Sequence, residues 1–297
     1  MTRSTDIVKA FRAHWKSRTT AEAARKALEA AIPGIAQSPI PINVDSAARY
    51  VGIEQITEVE TETFDGLLSA TPSGSYIATL RKGQSESRKR FTLAHELGHV
   101  ILHRSIAPRQ SIAVQGQLQC RAKTREEKDE ERLCDVLASQ LLMPQAQLMQ
   151  VINEIGVSAQ TLPDIARRFS VSLEAMSTRL LGVLPYELGM GYWYLSDNGA
   201  NIVPKWFLTK HGARPIDQLI AVGSQGSDCF TEIAATGWKW MSLQGPKDKY
   251  FVNVAPLEGR PKAWLLLVIF DSAAPHIMTS LGASSSKAVG QLPLIDE

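Results

Sequence analysis

Cysteine is scarce in this chain: Cys120, Cys134 and Cys229 are the only three among 297 residues. Three widely spaced thiols, odd in number, exclude a disulfide framework and a cysteine-rich zinc site. Long apolar runs are missing too. The best candidate, Trp264 to Phe270, is strand-sized, far short of the roughly 18 residues that a membrane helix needs. The opening stretch MTRSTDIVKAFRAHW has no apolar core of the signal-peptide kind. Neither sign of charge dominates. Lys and Arg number 32 against 30 Asp and Glu, leaving +2, which excludes a surface that coats nucleic acid and a long acidic tail. A cytoplasmic protein with free thiols and no membrane partner is the expectation. Its hydrophobic content of 44% and charged content of 21% are those of an ordinary globular protein, long enough for two domains.

What is present is concentrated in Phe91-Thr92-Leu93-Ala94-His95-Glu96-Leu97-Gly98-His99-Val100-Ile101-Leu102-His103. Residues four apart on a helix share a face, so His95 and His99 can present two imidazoles to one metal ion. Glu96, beside them, is placed to act as a base on water held there. Two nitrogen ligands and a carboxylate on one rigid element are the pattern of zinc-dependent peptide hydrolysis. Phe91, Ala94, Gly98, Ile101 and Leu102 bury one side of this helix, and Leu93, Leu97 and Val100 widen the apolar arc. Polar groups buried in such a helix need partners, and a metal supplies one.

Around this element the chain reads as alternating short units. Residues 5–31 read as one helix stopped at Pro33-Gly34, Val44 to Val51 as a short helix, and Ile53 to Val59 as a strand. Phe64 to Ala70 and Tyr76 to Leu80 flank Thr-Pro-Ser-Gly-Ser and read as a hairpin. The edge of such a sheet is suited to hold an extended peptide by strand addition. Residues 81–90, RKGQSESRKR, read as a solvated loop. A basic helix start opposes the dipole, so acidic partners or substrate for Arg88, Lys89 and Arg90 are the competing expectation.

Residues 104–123 read as irregular, and Thr124 with Glu127 as a capping box opening a second helix that stops at Pro144. A catalytic zinc takes three protein ligands and keeps one position for water. The third ligand must come from this second helix or the loop before it: Glu126, Glu127, Glu130, Glu131 or Asp135. Glu131 is the last acid before Leu133, Val136, Leu137, Leu141 and Leu142 turn the helix apolar, so spacing favours Glu131, then Asp135.

RFTLAHELGHVILH followed by ERLCDVLASQLLMP resembles the ImmA/IrrE family of bacterial metallopeptidases, over residues 60 to 185. The resemblance implies Glu131 as third ligand, the Glu thirteen residues before Pro144. It implies zinc as the metal, although manganese or iron suits the same donors. It also implies a substrate class: helix-turn-helix repressors of the XRE type, cleaved or lost so that stress or mobile-element genes are switched on. The family often has Asn where this chain has Asp135, which leaves a second carboxylate near the site. His103, one turn beyond His99, and Asp135 are expected beside the ligands. Tyr186 is the candidate for stabilising the oxyanion.

Beyond the motifs, LPDIARRF and LEAMSTRLLG around SVS read as a helix-turn-helix-like pair. The second helix offers only Glu174, Ser177, Thr178 and Arg179 as polar contacts. That is poor for reading DNA, so direct DNA binding is not expected. Past residue 187 lie Trp193, Trp206, Trp238, Trp240 and Trp264, with strands at 249–255 and 264–270 around Glu258-Gly259-Arg260. Trp238 and Trp240 read as core packing, His211 and His276 as isolated surface or core residues, and the tail after Leu281 as flexible. The resemblance implies a GAF-like sensor for this region, although no motif in it carries the likeness. The fold class is α+β: a mostly helical metallopeptidase core with a small sheet over residues 1–156, a helix-turn-helix-like module over 157–186, and an α/β domain over 187–297. The reading is a zinc endopeptidase directed at one repressor. The competing one is a regulator that binds DNA or repressor without cutting, with a structural metal.

Overall fold

The computed structural model describes residues 6–106, 125–210, 220–221, 238–242, 249–260 and 262–270. The capping box at Thr124, most of the stretch 104–123, Cys120, Cys229, His211, His276 and the tail after Leu281 lie outside these residues. Among the described residues no helix is long and apolar enough to cross a membrane. The fold is α+β and divides into two compact units: Met1–Leu148 with Arg168–Ser172, and Met149–Arg167 with Leu173–Glu297.

In the first unit, α1 (Ile7–His14) and α2 (Thr20–Ala31) replace the single helix expected over 5–31. The chain turns at Lys16, whose φ is +46°, and restarts where Thr19 Oγ1 accepts from the Glu22 N–H at 3.1 Å. The Ser-Arg-Thr-Thr capping signal decides the outcome because a hydroxyl satisfies an amide that the helix leaves unpaired. A short α3 (Val44–Tyr50) leads into β1 (Ile53–Val59). The hairpin is as the sequence predicts: β2 (Gly66–Ala70) pairs antiparallel with β3 (Tyr76–Arg81). β1 joins β3 in parallel, so the order is β1-β3-β2 and β2 forms an edge.

The long helix α4 (Glu86–Ile106) starts inside the stretch that read as a loop. Its basic start is neutralised, as the competing expectation held. Arg88 pairs with Asp65, Lys89 Nζ donates to Glu58 Oε1 at 2.7 Å, and Arg90 donates to the Ile42 carbonyl at 2.9 Å. Asp65 also takes both Nε and a terminal nitrogen of Arg81. These contacts tie the helix start to the sheet. Further along, α4 packs on α5 (Arg125–Leu142). Leu97, Leu102, Leu133, Leu137, Leu141 and Leu142 are fully buried. Full burial of a leucine side chain contributes about 1.5–3 kcal/mol.

Helices α6 (Gln145–Ile155) and α7 (Leu162–Phe169) fall mostly, and α8 (Leu173–Val183) wholly, in the second unit. Arg179, the cation of α8, is 8% exposed, and Ser177 is fully buried; neither is presented to a phosphate. The remaining strands are β4 (Leu188–Leu195), β5 (Asn201–Thr209), β6 (Ile220–Ala221), β7 (Trp238–Ser242), β8 (Lys249–Pro256) and β9 (Ala263–Ile269). They form one antiparallel sheet in the order β6-β5-β4-β9-β8-β7. β8 and β9 are the hairpin expected around Gly259. Trp193, Ile202, Val252, Val254, Leu266 and Val268 form its core. Buried Asn253 accepts the Ala159 N–H at 2.7 Å, which fixes the segment before α7 to β8.

Candidate metal centre

Two antiparallel helices build the site. α4 supplies His95, Glu96, His99 and His103 at successive turns. α5 supplies Glu130, Glu131 and Asp135 opposite them. The helices approach this closely because Gly98 has no side chain: a Cβ there would lie 3.1 Å from the Cys134 carbonyl oxygen and 3.2 Å from its Cα.

His95 and His99 each face a carboxylate at both ring nitrogens. His95 Nδ1 is 2.9 Å from Asp135 Oδ1, and its Nε2 is 3.0 Å from Glu131 Oε2. His99 Nδ1 is 3.2 Å from Glu130 Oε1, and its Nε2 is 3.6 Å from Glu131 Oε1. Ionised carboxylates only accept, so Asp135 and Glu130 place the Nδ1 protons and leave both Nε2 atoms facing Glu131. His103 Nε2 donates to the same Glu130 oxygen at 2.9 Å.

Glu96 points elsewhere. It is 3% exposed, and burial raises its pKa, opposed by the neighbouring His99 and His95. Edge strand β2 lies against it: a Cβ on Gly66 would sit 2.4 Å from Glu96 Oε1. A buried carboxyl with a raised pKa beside two imidazoles has the character of a group that takes and returns a proton.

The charges also bear on a cation. The partners of Glu130, Glu131 and Asp135 among the described residues are these histidines, with no lysine or arginine. Burial lowers the pKa of His95, but the hydrogen bonds to Asp135 and Glu131 outweigh it and raise it to about 10. Hydrogen bonds from His103 and His99 lower Glu130 to about 2. The cluster therefore holds a proton on His95 where a divalent ion would replace it. Two imidazole nitrogens and a carboxylate fit zinc, and the same set accommodates manganese or iron.

Among the described residues, the sets whose donor atoms all lie within 4.8 Å of one another are His95, His99 and Cys134, and His99, His103 and Glu130. Cys134 is wholly buried, and burial holds its thiol well above the usual range. Glu131 presents one oxygen to the Nε2 of His95 at 3.0 Å and the other to the Nε2 of His99 at 3.6 Å.

The structure thus brings together His95, Glu96, His99, His103, Glu131 and Asp135. Tyr186 lies in the second unit, between α8 and β4. Sequence reading listed Glu130 only as a rival ligand and missed its contact with two histidines. The signal was available, since histidines at i, i+4 and i+8 face a helix with acids at 130, 131 and 135. The close-approach roles of Gly66 and Gly98 had no such signal.

A solved structure described as a Mycobacterium tuberculosis transcriptional regulator aligns over 93% of this chain and 86% of its own, with a TM-score of 0.50 and 13% identity; that likeness is one of fold alone. The radiation response metalloprotease IrrE of Deinococcus radiodurans is 36% identical over 98 residues. That match spans 32% of this chain and 28% of the relative. Residues 50–181, which carry the three histidines and the facing acids, match the model of the IrrE N-terminal-like domain family of peptidases.

Proposed function

We propose that this chain is a zinc-dependent endopeptidase that cleaves a helix-turn-helix repressor of the XRE type in the cytoplasm. The observation that carries the reading is the convergence of His95 Nε2 and His99 Nε2 on Glu131, beside buried Glu96. His95, His99 and Glu131 would hold the ion. When bound, zinc supplies a lowered pKa for water and polarisation of the scissile carbonyl. Glu96 takes the proton of the attacking water and passes it to the leaving amine. Asp135 keeps the His95 imidazole in the ligating tautomer. Strand β2, at the edge of the described three-stranded sheet and with Gly66 against Glu96, would suit an extended substrate strand. The repressor class rests on the resemblance of the two motifs, and fits an enzyme with one or few substrates. The second unit has a sheet of its own, which supports a separate role in sensing or substrate selection.

The test is incubation with the XRE-type repressor encoded nearest the gene, with zinc or manganese, read by intact mass. A discrete cut is expected with wild type and none with Glu96→Gln, which keeps the metal. Cutting by Glu96→Gln at the wild-type rate would refute the mechanism. A stable, uncut, chelator-insensitive complex would refute the protease reading.

One observation favours a second reading. Cys134 lies within 4.8 Å of both His95 and His99 donors. A set of two His, Glu and Cys would close a tetrahedral site and leave no position for water. The chain would then be a non-proteolytic regulator with a structural metal. Cobalt absorption separates the two, because a thiolate ligand adds an intense near-ultraviolet charge-transfer band.

A further inference from the structure

His99 is 3% exposed, so each of its ring nitrogens needs a partner inside the protein. Its Nε2 faces Glu131, and its Nδ1 meets Glu130 Oε1 at 3.2 Å. The same Glu130 oxygen receives the N–H of His103 at 2.9 Å. The His99 and His103 rings are near-parallel, 21° apart with centroids at 6.4 Å. The orienting carboxylates are unequal: the Glu130 side chain is 19% exposed and that of Asp135 55%. A hydrogen bond shielded from water holds a ring more firmly than one at the rim. The motif therefore extends beyond its two ligands, from His99 through Glu130 to His103.

We propose that Glu130 is the positioning residue for His99, fixing its tautomer and ring angle for metal binding, and that His103 braces Glu130. His103 then occurs one turn past the motif as the second donor to Glu130, with no direct bond to metal or substrate. A second cation bound between His99, Glu130 and His103 would need the Nδ1 proton to leave. The two donations to one oxygen argue against that.

The experiment measures zinc affinity by competition with a chromophoric chelator, on the full chain, for wild type, Glu130→Ala, Glu130→Gln and His103→Phe. Glu130→Ala is expected to lose about 10–100-fold in affinity. Glu130→Gln keeps an acceptor oxygen and recovers most of that loss, and His103→Phe loses several-fold. The cobalt ligand-field bands of Glu130→Ala shift in energy. In the metal-free protein, nitrogen-15 spectra of the His99 ring show the Nδ1–H form of wild type giving way to a mixture. Equal zinc affinity in wild type and Glu130→Ala, with unchanged cobalt bands, would overturn the proposal. So would two zinc ions per chain in wild type falling to one in His103→Phe. Should Glu130→Ala fail to fold by circular dichroism, His103→Phe carries the test, and wild-type affinity there refutes the brace. The inference rests on the metal-binding reading: a wild type that binds no metal refutes that reading, whereas a wild type that binds and a Glu130→Ala that binds equally refute only the role of Glu130.

Discussion

Gly98 and Cys134 touch without a side chain between them: a Cβ on Gly98 would meet the Cys134 carbonyl oxygen at 3.1 Å. This contact sets the spacing of the two helices whose side chains share the candidate ion. Alanine at Gly98 gains about 1 kcal/mol in helix propensity. It also pushes on backbone, and overpacking of that kind costs about 1–3 kcal/mol. Gly98→Ala is expected to be less stable by on the order of 1 kcal/mol in urea and to bind zinc more weakly. A variant more stable than wild type, with unchanged affinity, would show that the helices part freely.

Gly66 holds the corresponding position against the candidate base. A Cβ there would fall 2.4 Å from both Glu96 Oε1 and Thr92 Cγ2. Gly66→Ala should displace the Glu96 carboxylate and leave His95, His99 and Glu131 in place. The expected result is a loss in kcat of about a hundredfold or more, the usual scale of general-base catalysis, with zinc affinity unchanged. Loss of metal together with activity would place Gly66 in the fold rather than in the chemistry.

Zinc binding should release protons. The folded, metal-free protein holds His95 protonated up to about pH 10, because Asp135 and Glu131 outweigh the burial of its ring. An ion can bind Nε2 only after that proton leaves. Calorimetry near neutral pH in buffers of different ionisation enthalpy should find about one proton released per ion, with affinity falling as pH falls. The raised pKa also has a stability consequence. Relative to its ordinary value of 6.5, the His95 contribution to metal-free stability is fully present below that value and is lost as pH rises through about 10. Glu130 runs the other way: its contribution is present above the ordinary 4.5 and is lost as pH falls towards about 2. His95→Ala should abolish most of the proton release; an undiminished release would place the proton on another group.

In the second unit, Asn253 is 1% exposed and accepts the Ala159 N–H at 2.7 Å. Asn253→Leu fills similar space and leaves that amide without its partner, at a cost of about 1–3 kcal/mol. Chemical denaturation should show this loss, while zinc affinity, set by residues of the first unit, stays at the wild-type value. No change in stability would mean that the amide finds another acceptor.

The sequence by itself determined the helix that carries His95, Glu96 and His99, the hairpin around Gly74, the hairpin around Gly259, and the apolar half of α5. These are local patterns. Helical period, strand alternation and turn residues act over a few neighbours, and the chain writes them directly. It also narrowed the candidate third ligand to acids of the second helix or the loop before it, and the preference for Glu131 by its distance from Pro144 came from the family resemblance. The first helix was misjudged where a capping hydroxyl, itself a local signal, starts a second helix. Tertiary structure alone decided which α5 acid meets which histidine. Side chains on separate helices meet according to how closely the axes approach, and Gly98 against Cys134 sets that approach. The same holds for Gly66 beneath Glu96 and for the division of Glu130 between His99 and His103. A glycine's value at a contact lies in what its neighbour occupies, and that neighbour is distant in the chain.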